Sequence, residues 1–207
     1  MKKTHKISIY FLMVFLLLFI STLVVHAAKR RAKQVQLTSL SFNKTKGNTR
    51  SIIQGSSSRT SMKELWGKIS CVYNTNEKWL NEVELKYYVL AFKNIKGKKR
   101  KSIKDGYVMF SGKVTYLNVP EGKKHLSGMY IHPYTLKRFG DIKEIRIEAW
   151  YNKSMISHLE DSFSSKKEKR LLKDWVSKFK NHPLGLMSAS DTPFAYDGGN
   201  ALEQIKK

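Results

Sequence analysis

The sequence predicts a mainly β protein, an antiparallel β-sandwich with an amphipathic helix docked near its C-terminus. From Val35 onward, apolar and polar residues alternate with period two through runs rich in β-branched and aromatic side chains, which is how half-buried strands read. Clusters of Gly, Pro, Asn and Ser break those runs into about seven or eight short strands, and no long alternation of strand and helix calls for a parallel sheet. After Asn152 the apolar period lengthens to that of a helix.

Ahead of the sandwich, Met1 to Lys6 carry three lysines, and Ile7 to Val25 form an apolar run, "ISIYFLMVFLLLFISTLVV". A basic start, an apolar middle and a small-residue exit are the layout of a secretory signal peptide. Val25 and Ala27 suit the −3 and −1 positions, so cleavage is expected after Ala27, leaving residues 28–34 as a basic linker. The apolar run also approaches the roughly 20 residues needed to span hydrocarbon. Behind it, Lys29, Arg30, Arg31 and Lys33 oppose translocation, so a retained anchor is the second reading. Both readings put the folded part outside the inner membrane, secreted, periplasmic or held at the cell envelope. In the second, the membrane is engaged only through the leader.

The sandwich is expected over residues 35–157. Val35 to Leu40 opens it as a strand, and "NKTKGNTRSIIQGSSSRTS" (43–61) reads as a long loop with an edge strand around Ile52 and Ile53. Leu65 to Asn74 follows, with Ile69, Cys71 and Tyr73 facing one way. Glu82 to Phe92 is the strongest strand: Val83, Leu85 and Tyr87 alternate with Glu84, Lys86 and Tyr88, and Val89 to Phe92 is apolar on both faces. Tyr107 to Phe110 and Lys113 to Val119 are read as strands around a bulge at Gly112, then a turn at Pro120-Glu121-Gly122 and a short strand at Met129 to Ile131. "HPYTLKRFGD" suggests one helical turn closed by Gly140. In "IKEIRIEAWYN" the apolar face is Ile142, Ile145, Ile147 and Ala149, and Glu144, Arg146 and Glu148 form the polar face.

Residues 158–207 are assigned to the helix and a C-terminal tail. Ser165 and Glu168 have capping-box spacing, and Leu171, Leu172, Trp175, Val176 and Phe179 recur at helical intervals until His182-Pro183. Docking of this face on the sheet is the simpler reading, and contact with a membrane is the alternative. Glu160 and Asp161 are expected to complement the helix N-terminus.

Composition narrows the function. Cys71 is the only cysteine, so no intramolecular disulfide forms, and a buried small apolar role is expected for it. Neither a nucleophile elbow, a zinc-protease helix motif nor a phosphate loop occurs. His125, His132, His158 and His182 lack the density of a metal site, and no paired carboxylates face a common cleft in the pattern. The expectation is a protein that is not an enzyme, with no catalytic residue, metal or cofactor. Asn43-Lys-Thr45 and Asn152-Lys-Ser154 match glycosylation acceptors, which matter only in a eukaryotic secretory pathway.

The net charge of +23 implies acidic partners. It is densest in "KNIKGKKRKSIK", where Lys93, Lys96, Lys98, Lys99, Arg100, Lys101 and Lys104 lie between two strands. Such a hairpin loop could neutralise several phosphates of an anionic surface polymer, lipopolysaccharide or DNA; a merely solvated loop is the plainer reading. No aromatic is interleaved there for base stacking, which disfavours sequence-specific nucleic-acid recognition.

The run "NVPEGKKHLSGMYIHPYTLKRFG", Asn118 to Gly140, with "DIKEIRIEAWYN" after it, resembles a group of secreted immunoglobulin-like proteins of Verrucomicrobia associated with type IV pilus gene clusters. "DTPFAYD", Asp191 to Asp197, is similar to the Thr-Pro-Phe segment near the end of those proteins. The quoted segments make up about a fifth of the chain. It implies an immunoglobulin-like β-sandwich with an added helix and a non-enzymatic role beside envelope or pilus proteins. A lone Cys71 departs from the inter-sheet disulfide of antibody-type domains, and the leader lacks a pilin's glycine-preceded cleavage site. A cell-surface carbohydrate-binding protein or carbohydrate-active enzyme is the alternative, suggested by Trp66, Trp79, Trp150 and Tyr151, which are more simply read as core.

Overall fold

In the computed structural model, residues 34–49, 62–93 and 106–194 are described. The leader and basic linker as far as Lys33, the edge strand expected at Ile52 and Ile53, and Lys96 to Lys104 of the basic loop lie outside those residues.

Among the described residues the strands are β1 (Val35–Thr49), β2 (Met62–Phe92), β3 (Tyr107–Ile131), β4 (Asp141–Tyr151), β5 (Ser154–Ser162) and β6 (Met187–Ser188). Helical segments are α1 (Pro133–Phe139), α2 (Lys166–Leu171) and α3 (Trp175–Lys178), with a 3-10 turn at Ala189–Asp191. Every strand pairing is antiparallel. The mainly β expectation holds, but its many short strands are replaced by two long ones. β2 has 31 residues and β3 has 25, and they pair along nearly their whole length.

That long hairpin makes both layers by bending. Near Tyr73 and Thr75 the register slips, and between Thr75 and Trp79 β2 carries three residues opposite the single Glu121. A one-sided insertion of this kind bends a strand sharply. The buried Thr75 hydroxyl donates to the Pro120 carbonyl at 2.6 Å and so ties the two sides of the corner. Pro120-Glu121-Gly122 is therefore part of a bent continuous strand rather than a turn between two. Before the corner, β2 pairs with β1; beyond it, the same edge pairs with β4, which pairs in turn with β5.

Alternation then places one set of side chains between the layers. Ile69, Cys71 and Tyr73 from the first half meet Val83, Leu85, Tyr87 and Val89 from the second, with Ile145, Ile147 and Ala149 of β4 beside them in one buried cluster. At the open edge the Leu37 amide donates to Ser157 Oγ across the layers at 3.4 Å. One end is closed by α1, whose Phe139 packs edge-on against Phe110 at 5.2 Å. Gly140 ends that helix at φ +79°, and a side chain there would meet the Phe92 carbonyl at 2.6 Å. Only glycine satisfies both demands.

Several expectations need correction. Residues 43–49 continue β1 rather than starting a loop, because the first half of β2 offers them a partner as far as Met62. Gly112 makes no bulge: it stays in register with Tyr87, and its missing side chain makes room for Met129 and Leu186. The sheet does not stop at residue 157, since Asn152 and Lys153, at φ +48° and +61°, form a two-residue hairpin turn into β5. Two positive φ values give the turn the twist that suits paired strands.

The terminal helix is also not continuous. Ser165 and Glu168 do form the capping box, but Asp174 adopts the left-handed conformation and separates α2 from α3. Leu172 and Trp175 still bury on the outer face of β2 and β3, against Leu90, Tyr107 and Met109. This explains the two-sided apolar end of β2: Val89 faces the sandwich interior and Leu90 the helical segments. Leu171 is left 48% exposed.

Candidate functional site

The outward-facing residues of β4 and β5 are mostly charged, and the fold commits them to one another. Arg146 Nε lies 2.8 Å from Glu148 Oε1, and its Nη1 lies 2.9 Å from Glu160 Oε1. Glu148 also accepts the Trp150 indole N–H at 2.9 Å, while Glu144 accepts the Ser162 hydroxyl at 2.8 Å. Lys86 stands 3.6 Å from the centre of the Trp150 ring, within cation–π range. Glu160 is thus a sheet residue paired with arginine, not a partner of the helix N-terminus.

Over this face the chain from Lys166 to Val176 forms a roof, leaving an open cleft of about 480 Å³. Glu144, Arg146 and Glu160 line its floor, Leu172, Trp175 and Val176 its apolar wall, and Lys166, Lys169, Arg170 and Lys173, with Asp174 beside them, its rim. The rim residues are all exposed and recur at intervals of three, one and three, which puts them along one side of a helical turn. The capping box fixes where that turn begins.

Of the basic loop, Lys93 is exposed, and its amide donates to the Gly106 carbonyl at 2.7 Å, so the two ends close as a hairpin. Lys96, Lys98, Lys99, Arg100, Lys101 and Lys104 lie outside the described residues. The base of that hairpin meets the helical segments. Tyr107 packs against Phe92 at 4.9 Å and against Phe179 at 5.7 Å, and Lys143 lies 5.8 Å from the Phe92 ring centre. The flanks of the basic loop, Phe92 and Tyr107, and the lysine-bearing helical segments more than sixty residues on therefore meet on one apolar cluster.

The cleft was not among the sequence-based candidates, although its parts were visible. Glu144, Arg146 and Glu148 read as the polar side of a strand, and the lysines of 166–173 as the polar side of a helix; only the docking of one on the other makes a cleft. Cys71 is fully buried, and desolvation pushes its thiol up to about 12, so it is an inert packing residue. Of the aromatics read as core, Trp66 is buried at 2% exposure, whereas Trp79 stands out at 58%. Trp79 sits at the corner, where the inserted residues turn β2 away from its neighbours. His132 and His182 serve locally: each accepts a backbone amide two residues ahead on Nδ1, at 3.1 Å. No group of three or more metal-binding side chains occurs among the described residues.

The Thr-Pro-Phe segment has a structural role. Phe194 stacks on Tyr130 at 4.8 Å with the rings 9° apart and meets Trp66 edge-on at 5.9 Å. The tail thereby covers the outer face of the first layer. Gly47 makes this possible, since a side chain there would lie 2.8 Å from both the Phe194 and Trp66 rings.

No curated protein matches the chain. A crystal structure of a protein from Akkermansia muciniphila, a member of the Verrucomicrobia, matches with a TM-score of 0.58 at 16% identity, over 84% of this chain and 93% of that one. The likeness is one of fold. A protein-family model matches residues 26–206, nearly the whole sequence, and the chain belongs to that family.

Proposed function

We propose that this is an exported, non-enzymatic binding protein of the cell envelope, which holds an anionic surface polymer against one cationic end of its sandwich. The observation that carries this reading is that the described base of the basic loop, Phe92 and Tyr107, meets the lysine-bearing segment Lys166–Lys180 on the single cluster of Leu90, Tyr107, Met109, Leu172 and Trp175. Clustered cations release counterions when they neutralise an anionic polymer, and the resulting affinity falls steeply with salt. The leader supports export, and the resemblance to pilus-associated immunoglobulin-like proteins supports a place beside a type IV pilus or secretion assembly. A binding role also suits the carboxylates. Glu148 and Glu160 are paired with Arg146 and Glu144 with Ser162, whereas general acid–base chemistry needs a carboxyl group free to exchange its proton with substrate.

The test is co-sedimentation of the full chain with lipopolysaccharide or with phosphatidylglycerol vesicles across a salt series. Binding should weaken as salt rises. It should vanish when Lys98, Lys99, Arg100 and Lys101, together with Lys166, Lys169, Arg170 and Lys173, are reversed to Glu. Binding that ignores both salt and the reversals overturns the reading.

A further inference from the structure

We infer that the cleft between β4–β5 and the α2–α3 segment binds an acidic sugar, a saccharide unit carrying sulfate, phosphate or carboxylate. This deepens the anionic-partner reading and rests on it for the sign of the ligand's charge. Three features of the cleft point to a sugar rather than a bare anion or a lipid.

The rim supplies the charge match. Lys166, Lys169, Arg170 and Lys173 line the opening with only the Asp174 carboxylate among them, a net cationic rim that suits a single exocyclic anionic group, which arginine can meet with paired hydrogen bonds. The floor supplies the opposite chemistry. Exposed Glu160 presents its carboxylate beside Arg146, with the buried Glu144 behind, an arrangement that repels a free phosphate but accepts hydrogen bonds from neutral hydroxyl groups. Sugars offer such hydroxyls on the side of the ring away from the acidic substituent.

The wall supplies the third feature. Half-buried Val176, backed by the buried side chains of Leu172 and Trp175, gives the cleft an apolar patch suited to the C–H edge of a sugar ring. At about 480 Å³ the cleft falls within the usual range for small-molecule sites and has room for one or two rings. An acyl chain would strand the charged floor against hydrocarbon, which disfavours a lipid tail. The floor is also held in place before any ligand arrives. Glu148 and Glu160 fix the Arg146 guanidinium from two sides, and Trp150 fixes Glu148, so little ordering remains for binding to impose.

Calorimetric titration of the full chain with N-acetylglucosamine 6-sulfate tests this, with N-acetylglucosamine and inorganic sulfate as the other arms. The sulfated sugar should bind about tenfold or more tighter than either. Arg170→Glu should weaken it by about tenfold or more, and Glu160→Gln, at an exposed floor position, by severalfold. Val176→Trp should fill the cleft and abolish sugar binding while leaving salt-sensitive binding of anionic polymer intact. Equal binding of the three probes, or no response to both Glu160→Gln and Val176→Trp, overturns the assignment. If the sulfated sugar binds but lipopolysaccharide and anionic vesicles do not, the cleft stands and the envelope-polymer reading falls; the converse result sinks the cleft alone.

Discussion

Tyr87 and Ser127, forty positions apart in sequence and on opposite layers of the sandwich, share a hydrogen bond of 2.5 Å in the middle of the apolar core. Tyr116 donates to the same Ser127 Oγ at 2.6 Å. Burial and the neighbouring Cys71 and Tyr116 hold the Tyr87 hydroxyl well above its ordinary range, so it stays a neutral donor. Ser127→Ala would strand that hydroxyl where no water reaches it, at a cost of about 1–3 kcal/mol. Urea unfolding should show the loss. The Tyr87→Phe, Ser127→Ala double variant should lose less than the two single changes added together, because both act on one bond.

Arg146→Ala should cost about 2–4 kcal/mol, since it leaves Glu148 charged, buried and short of its counter-ion. The figure lies below that of a wholly interior pair because the Arg146 side chain keeps 22% of its surface in water. Thermal unfolding of this variant beside Arg146→Ala, Glu148→Gln checks the account. The second change removes the stranded charge and should restore part of the loss.

Acid should destabilise the corner between the two layers. His125 stacks on Tyr73 at 5.1 Å, with its Nε2 3.1 Å from the Thr75 hydroxyl. Desolvation lowers its pKa, outweighing the hydrogen bond to the Pro120 carbonyl that favours the charged form. A lowered histidine favours the neutral ring in the fold. The stability it confers is therefore present above about pH 6.5 and is lost as pH falls from there through the folded value. At Glu84, burial acts to raise the carboxyl, but hydrogen bonds and charge from Lys113 and Lys86 prevail and lower it. Its contribution is lost at still lower pH, in the carboxylate range. Unfolding curves between pH 7.5 and 5 should flatten in His125→Gln, and Glu84→Gln should change only the more acidic portion.

The sequence made the alternation legible because burial between two layers imposes it residue by residue. Val83, Leu85 and Tyr87 face inward, and Lys86 outward, as their order implies. Strand length was not legible in the same way. Nothing in Pro120-Glu121-Gly122 distinguishes a turn from a bend in a continuous strand, because the deciding residues are Thr75 to Trp79 on the other strand. The cleft was hidden for a related reason. Its floor and roof each satisfy an ordinary local pattern, and the pairing of Glu160 with Arg146 appears only once β5 is known to be a strand. The charge of the basic loop was readable in the sequence, but that its flank meets the helical lysines was not, since Tyr107 and Phe179 meet through tertiary packing alone.

Phe194→Ala should free the C-terminal strap without unfolding the sandwich. The ring's contacts with Tyr130 and Trp66 are lost, at a cost on the order of 2 kcal/mol, but most of the core lies on the other face of that layer. Hydrogen exchange should accelerate at residues 187–194 and leave Val83 to Val89 protected. Gly47→Ala should give the same pattern, because the added methyl group occupies the space of the Phe194 and Trp66 rings.

Asp174 holds φ +58° and ψ 33° between two buried anchors, Leu172 and Trp175, and its side chain makes no capping bond to α3. A residue with a β-carbon is disfavoured in that conformation by roughly 1 kcal/mol, although aspartate tolerates it better than most. Asp174→Gly should therefore raise stability by about 0.5–1 kcal/mol in urea unfolding, less the entropy glycine adds to the unfolded chain. Asp174→Pro should destabilise instead, because a ring locked near φ −65° cannot make the break. The pair of variants separates two origins for the interruption. If it is imposed by the docking of Leu172 and Trp175, glycine eases it and proline defeats it; were the segment a continuous helix in solution, glycine would destabilise by about 1 kcal/mol.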